Sequence, residues 1–206
     1  MELRDAFDQI STIRTQLAAT ERLRGLRAVP VAFSGALALL AAIAQSIWID
    51  DPIATPHAYL LLWLSAAVIS ALCAGVEVTW RVKHSGSRLS VANAIVAAQQ
   101  FLPCLMAGAV ITIFVAVKLP DLLWMLPGLW LLLFALGNMA AYRLLPRPAI
   151  FVGLLYFCAG TMCLWLGERA LDPWAMGLPF ATGQLTLASL LWWNHERGPR
   201  PQEARQ

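Results

Sequence analysis

Charged residues are scarce in this sequence of 206 residues. Asp, Glu, Lys and Arg together make up 13% of it, whereas soluble domains carry roughly 25%. Hydrophobic residues make up 59%, and several apolar runs approach the length of about 20 residues that a membrane-spanning helix needs. The scarcity of charge therefore argues against a soluble domain, and the long apolar runs predict an all-α polytopic membrane protein.

Side chains that carry out chemistry are also few. The four cysteines lie inside apolar runs without a CxxC spacing, which is typical of small buried hydrophobes. The three histidines, His57, His84 and His195, lie at the ends of the runs or in connections, which argues against a pair of axial haem ligands at mid-membrane. No nucleophile stands with a matching base and acid. We therefore expect no enzymatic activity, no cofactor and no metal site.

The apolar runs predict six transmembrane helices in a domain of residues 29–193. Their approximate bounds are 31–49, 57–80, 91–117, 122–142, 149–167 and 173–193. Residues 1–28 precede this domain as a cytoplasmic amphipathic helix. The charged, proline-containing tail of residues 194–206 has a composition typical of disorder.

Basic residues alternate between the connections and predict the topology. Thirteen of the fifteen Lys and Arg residues fall on one predicted side, and only Lys118 and Arg169 fall on the other. The thirteen are Arg4, Arg14, Arg22, Arg24, Arg27, Arg81, Lys83, Arg88, Arg143, Arg147, Arg197, Arg200 and Arg205. Since cytoplasmic connections carry the excess of Lys and Arg, we predict that both termini are cytoplasmic.

The N-terminal segment from Met1 to Arg27 shows helical periodicity, and the helix that it predicts ends near Gly25. Its apolar face is formed by Leu3, Phe7, Ile10, Ile13 and Leu17, which recur at the spacing of one side of a helix. Three interpretations stay open: the helix lies in the membrane interface, it pairs with its own copies, or it binds a cytoplasmic protein. We expect the lipid bilayer, further copies of the chain and such a protein as partners, and no direct binding of nucleic acid.

The third predicted span, 91–117, contains the main candidate site. Gln99 and Gln100 lie roughly 14 Å in from the cytoplasmic side, at 1.5 Å per residue. Pro103 has no N–H, so the carbonyl of Gln99 loses its helical partner. Gln184 in the sixth span lies roughly 16 Å in from the outer side. These four residues define a candidate intramembrane polar centre near the middle of the bilayer.

Glu77, Asn138 and Tyr156 are secondary candidates. Glu77 is the carboxylate within the predicted spans, and an ionisable residue there is a functional hypothesis by default. A structural alternative is an ion pair with Arg81 one turn later, or a tie to a neighbouring helix. For the amides, the structural alternative is hydrogen bonding between helices, worth about 0.6 kcal/mol per pair.

Four short stretches resemble a family of small, uncharacterised six-span bacterial inner-membrane proteins. They are Arg24-Gly25-Leu26-Arg27, Gln100-Phe101-Leu102-Pro103, Met125-Leu126-Pro127-Gly128-Leu129-Trp130 and Pro173-Trp174-Ala175-Met176-Gly177. The resemblance implies a location in the bacterial inner membrane and a sensing or regulatory role, because such proteins are often encoded beside a short winged-helix regulator. In some members the residue before Gln100 is Glu; here it is Gln99, so a role that needs a carboxylate there is in doubt.

The combined expectation is a non-enzymatic membrane sensor or scaffold. The polar centre around Gln99 and Pro103 would act on the N-terminal helix, which meets a partner or its own copies. The alternative is a small oligomeric transporter or channel for a small solute, with the amides lining its path. An integral membrane enzyme that acts on lipid is a third and weaker hypothesis, because no catalytic set is visible.

Overall fold

A computed structural model describes residues 27–84 and 88–196, and this part of the chain contains helices and no strands. Its six α-helices are α1 (Ala28–Trp48), α2 (Pro56–His84), α3 (Arg88–Lys118), α4 (Leu126–Ala140), α5 (Ala149–Leu166) and α6 (Pro173–Glu196). Three short 3-10 segments lie between them, at Pro120–Met125, Tyr142–Leu144 and Gly167–Leu171. The predicted N-terminal helix, up to residue 26, and residues 197–206 of the predicted tail lie outside the described residues.

Within the part of the chain that the structure describes, five helical segments are long and apolar enough to cross a membrane. They are Ala28–Trp48, Pro56–His84, Ile95–Lys118, Pro120–Ala140 and Ala149–Leu171. The chain is therefore an all-helical, multi-pass membrane protein. Helix α6 has 24 residues and packs extensively on α1, but Pro179 and Gln184 interrupt its apolar sequence.

The observed helix bounds differ from the predicted spans by a few residues. Helix α3 begins at Arg88 and α6 continues to Glu196, because amphipathic or polar residues extend a helix beyond the apolar run that marks a span. The fourth span divides into the 3-10 segment Pro120–Met125 and helix α4. Pro127 lies in the first turn of α4, where a proline fits because the missing N–H has no intrahelical partner.

The helices alternate in direction, so their connections gather at two ends of the molecule. We name the acidic end after the carboxylates of the connections that follow α1, α3 and α5, which are Asp50, Asp51, Asp121, Glu168 and Asp172. The opposite end, where α1 begins and α2 ends, is the basic end. Contact between the 3-10 segments Pro120–Met125 and Gly167–Leu171 brings two of the acidic connections together.

Near the acidic end, the fully buried side chain of Gln45 joins three parts of the fold. The Trp63 indole of α2 donates a hydrogen bond of 2.7 Å to Gln45 Oε1. The amide of Gln45 donates a bond of 2.6 Å to the carbonyl of Leu171. In surroundings that offer no water, these bonds replace the hydration that the three polar groups have lost.

A second indole bond closes the hairpin of α3 and α4 in the same way. Trp130 Nε1 donates to Thr112 Oγ1 over 2.8 Å, and the Thr112 hydroxyl donates to the carbonyl of Gly108 over 2.7 Å. The α1–α2 and α3–α4 hairpins therefore each have a tryptophan on the second helix that bonds to the first helix near the acidic end.

Glycines permit a close helix contact between α4 and α5. A Cβ added to Gly160 would lie 2.8 Å from the carbonyl oxygen of Gly128, and a Cβ on Gly128 would lie 2.8 Å from that of Gly160. Only a residue without a side chain fits at such a crossing, and small residues commonly bring membrane helices together in this manner.

Much of the half of α2 nearest the basic end is not covered by the described residues. Val68, Leu72 and Val76 are 56%, 62% and 67% exposed, and a Cβ added to Gly75 would meet nothing within 4 Å. Tyr59 and Trp63, at the other end of the same helix, are buried. The bundle is thus tightly joined at the acidic end and more open at the basic end.

These glycines give a matched pair of substitutions. We expect Gly160→Ala to lower the free energy of unfolding by about 1–3 kcal/mol, because overpacking forces the two backbones apart. Gly75→Ala is expected to leave it unchanged or to raise it by about 0.5–1 kcal/mol, since alanine favours the helix. Unfolding by sodium dodecyl sulfate in mixed micelles, followed by tryptophan fluorescence, measures both. Equal effects of the two substitutions would contradict the crossing described here.

Candidate functional site

The two adjacent glutamines of α3 have different surroundings. The side chain of Gln99 is exposed on the outer surface of the bundle, whereas that of Gln100 is partly buried. Neighbouring residues on a helix point about 100° apart, so one of the pair turns towards the bundle and the other away from it. Pro103 is exposed on α3 as well.

Gln184, the fourth residue of the predicted polar centre, lies at a different interface. Its side chain is 5% exposed, and its Cβ is 3.0 Å from the position that a Cβ on Gly35 would take. Gln184 therefore faces α1, whereas Phe101, the neighbour of Gln100, packs against Gly137 of α4. The structure does not bring Gln100 and Gln184 together into one pocket.

Aromatic rings fill the space that α3, α4, α5 and α6 share. We call Phe101, Phe134, Tyr156 and Phe180 the aromatic cluster. Phe134 lies at its centre, with its ring centroid 5.4 Å from that of Phe101, 5.6 Å from Tyr156 and 4.8 Å from Phe180. Edge-to-face arrangements of this kind contribute beyond the burial of area. The cluster makes one rigid contact between four helices.

Tyr156, a secondary candidate, is a structural member of this cluster. Its side chain is fully buried, and its hydroxyl donates to the carbonyl of Phe180 over 3.3 Å. A Cβ added to Gly183 would lie within 2.4–2.5 Å of the tyrosine ring and its oxygen. The glycine on α6 therefore makes the room that the ring occupies.

Asn138 and Gln100 lie at the same level of the α3–α4 pair. Contacts of Phe101 with Gly137 and of Gly108 with Leu133 show that the residue number rises on α3 as it falls on α4. Gln100 precedes the first contact and Asn138 follows it, so both amides lie on the basic-end side of the aromatic cluster.

Each of these amides has one buried atom that finds no hydrogen-bond partner among residues 27–84 and 88–196. The atoms are Gln100 Oε1, an acceptor, and Asn138 Nδ2, a donor. Asn138 as a whole is 3% exposed. More than nine in ten buried polar groups in proteins are paired, and an unpaired one costs about 1–3 kcal/mol. We call Gln100 and Asn138 the amide pair.

Glu77 connects α2 to the start of α1. Its Oε1 lies 3.6 Å from Nε of Arg27, and the two side chains are 20% and 60% exposed. The tie to a neighbouring helix, one of the two structural alternatives for Glu77, is therefore present in the structure. Such a partly exposed pair contributes little to stability, about 0–1 kcal/mol. It shows that the start of α1 lies beside α2.

The sequence analysis did not single out Gln45 or Thr112. Gln45 lies four residues before the predicted end of the first span, where a polar residue resembles a helix terminus. A useful signal was present, because Trp63 follows Gln45 and Trp130 follows Thr112 by the same 18 residues. Hydrophobicity alone does not reveal such pairs, since they depend on which helix faces turn towards each other.

A cavity of about 170 Å³ opens at the acidic end between the connections that follow α1 and α5. Asp51 and Asp172 are among its lining residues, but both carboxylates already accept hydrogen bonds from nearby backbone N–H groups. Asp51 Oδ1 accepts from the N–H groups of Ile53 and Ala54, and Asp172 Oδ1 accepts from that of Trp174. Within residues 27–84 and 88–196, no group of three or more His, Cys, Asp and Glu has the arrangement of a metal site.

The amide pair offers one donor and one acceptor and no titratable group. This arrangement suits a neutral polar molecule or group that both accepts and donates a hydrogen bond, such as a hydroxyl, a carboxamide or water. Comparisons with protein-family models, with curated proteins and with solved structures find no match for this chain. The site is therefore defined by its own geometry.

Two amide-to-leucine substitutions are expected to act in opposite directions. Asn138→Leu removes an unpaired buried donor, so we expect the free energy of unfolding to rise by about 1 kcal/mol. Gln45→Leu leaves the indole of Trp63 and the carbonyl of Leu171 without partners, so we expect a fall of about 1–3 kcal/mol. Unfolding in mixed micelles measures both changes. A loss of stability in Asn138→Leu equal to that in Gln45→Leu would show that Asn138 is a bonded structural residue.

Proposed function

We propose that this chain is a non-enzymatic membrane sensor whose input site is the amide pair. In this proposal six helices cross the bilayer, the basic end is cytoplasmic, and a small neutral polar molecule binds between α3 and α4. The observation that carries it is the burial of Gln100 Oε1 and Asn138 Nδ2 without partners. A polar group kept at a cost in stability is a common property of functional sites.

The amide pair is suited to binding because its immediate neighbours are rigid. Phe101 and Phe134 hold α3 against α4 at a centroid distance of 5.4 Å, and Gly137 allows that close approach. A ligand that satisfies both free amide atoms gains hydrogen bonds in surroundings of low dielectric, where such bonds are stronger than in water. It also removes the cost that the unpaired atoms impose on the free protein.

The difference between the two ends of the bundle supports a response at the basic end. The bonds of Gln45 and Thr112 hold the hairpins near the acidic end. A Cβ on Gly75 of α2 would meet none of the described residues within 4 Å, and α3 has Pro103 within it, where one helical hydrogen bond is missing. A ligand at the amide pair therefore acts on α3 next to Pro103, where one helical hydrogen bond is missing.

The output in this proposal is the N-terminal segment. Arg27 lies 3.6 Å from Glu77, so α1 begins beside α2, at the same end as the amide pair. A change in the position of α2 or α3 would reach that segment through this contact. The excess of Lys and Arg in the sequence supports a cytoplasmic location for it, and the resemblance to small bacterial inner-membrane proteins supports the compartment.

Native mass spectrometry of the protein released from mild detergent tests the input site. We expect one reproducible non-lipid molecule per subunit, and we expect Asn138→Leu and Gln100→Leu to lose it. Gln184→Leu is the matched control, because Gln184 is an equally polar residue at a different interface. A protein that carries only lipids, or a molecule retained by Asn138→Leu, would contradict the proposal.

A second experiment tests the output. Cysteine introduced at Lys83, which is exposed at the end of α2, reports access to the basic end through its rate of reaction with a maleimide. We expect this rate to differ between the protein with the molecule bound and the Asn138→Leu variant, whereas a cysteine at Asp50, at the acidic end, is expected to react alike in both. Equal rates at Lys83 would show that binding does not change the basic end, and would contradict the proposed output. If the molecule crosses the membrane of liposomes that contain the protein, and Asn138→Leu abolishes this flux, the result would instead indicate a transporter.

A further inference from the structure

The outer face of α3 is apolar over most of its length and is not covered by any other helix in the described part of the chain. Its exposed residues recur at the spacing of one helix side, and five of them are Leu102 (53%), Met106 (62%), Val110 (66%), Ile113 (65%) and Val117 (67%). Gln99 lies on the same side, one turn before Leu102, and is exposed too. Gln99 is thus a polar side chain at the start of a surface that is otherwise apolar and suited to contact with lipid.

Gln99 lies deep within the span. Helix α3 has 31 residues between the flanking charges of Arg88 and Lys118, so its middle is near Pro103. Gln99 is four residues away, which is roughly 6 Å at 1.5 Å per residue. The apolar core of a bilayer extends about 15 Å to either side of its middle. The carboxamide of Gln99 is therefore within the hydrocarbon and has no access to bulk water.

Several other exposed hydroxyls in the spans bond to their own helices. The hydroxyls of Ser65, Thr161 and Ser189 each donate to a carbonyl three or four residues earlier, over 2.8–2.9 Å. The carboxamide of Gln99 makes no hydrogen bond to any of the described residues. The carbonyl of the same residue has also lost its helical donor, because Pro103 has no N–H. Lipid tails cannot supply these bonds, so this face needs a polar partner.

We propose that this face of α3 is the contact between two copies of the chain, with the Gln99 carboxamides bonded to each other across a two-fold axis. A carboxamide carries donors and acceptors together, so it is complementary to its own image. A two-fold axis brings identical surfaces face to face and pairs each Gln99 with its copy. The second N–H of each amide is then available for the freed carbonyl of residue 99. The apolar side chains from Leu102 onward pack along the rest of the contact.

This inference does not depend on the proposed sensor function. Gln99 and the amide pair lie on different sides of α3, and Gln100 turns towards the bundle while Gln99 turns away from it. Loss of ligand binding in Asn138→Leu and loss of pairing in Gln99→Leu are therefore separate results.

Disulfide cross-linking in native membranes tests the geometry. Cys73, Cys104 and Cys158 are first replaced by alanine, and the buried Cys163 is retained. In this background we expect Leu102→Cys and Met106→Cys, on the proposed face, to cross-link between copies at least tenfold faster than Phe151→Cys. Phe151 is 71% exposed on α5 and serves as the control for random collision. Rates at Leu102 and Met106 no higher than at Phe151 would overturn the proposal.

Dimerisation measured by subunit capture and photobleaching in liposomes tests the role of the carboxamide. One interhelical hydrogen bond in a membrane is worth about 0.6–2 kcal/mol and the two carboxamides make two of them, so we expect Gln99→Leu to raise the dissociation constant by at least about sevenfold. Gln99→Asn keeps the carboxamide and is expected to lie closer to the original protein. The thermal unfolding of Gln99→Leu is the control for folding, and it should be unchanged because the side chain is exposed. A dissociation constant unaffected by Gln99→Leu, or a chain that stays monomeric, would overturn the proposal.

Discussion

A carboxamide in an apolar bundle must find its hydrogen bonds within protein, because lipid offers none. Gln45 meets this requirement completely, with one bond to Trp63 and one to the carbonyl of Leu171. It thereby joins α1, α2 and the connection before α6. The tight half of the molecule depends on this arrangement, since three separate chain segments converge on one side chain. Gln100 and Asn138 differ from Gln45, because each has one buried amide atom that finds no partner among the described residues.

Close packing supplies the second constraint. Gly128 and Gly160 let the backbones of α4 and α5 touch, and Gly183 receives the ring of Tyr156. The aromatic cluster then connects these helices to α3 through Phe134. With no hydrophobic driving force between helices in lipid, such contacts and the indole bonds hold the bundle together. Where they are missing, around Gly75 of α2, the surface is open.

The three glutamines near the centre of the predicted site have three different environments. Gln99 faces outward, Gln100 turns towards the α3–α4 contact, and Gln184 packs against Gly35 of α1. We therefore propose contact between copies for Gln99 and ligand binding for Gln100, whereas Gln184 takes part in helix packing. Depth follows from position along a span, but the direction in which a side chain points depends on the rotation of its helix. That rotation is set by partners such as Gly137 and Phe134, which the amides themselves do not reveal.

The sequence by itself determined the all-helical class and the positions of the long apolar segments to within a few residues, because both follow from local composition. It also indicated that Gln100 and Asn138 deserve attention as polar residues in apolar runs. Only the tertiary structure decided that these two share one level, that Gln184 belongs elsewhere and that Glu77 meets Arg27. These outcomes depend on which helices adjoin and how each is rotated. Both are properties of the packed bundle, and a hydropathy pattern read one segment at a time does not contain them.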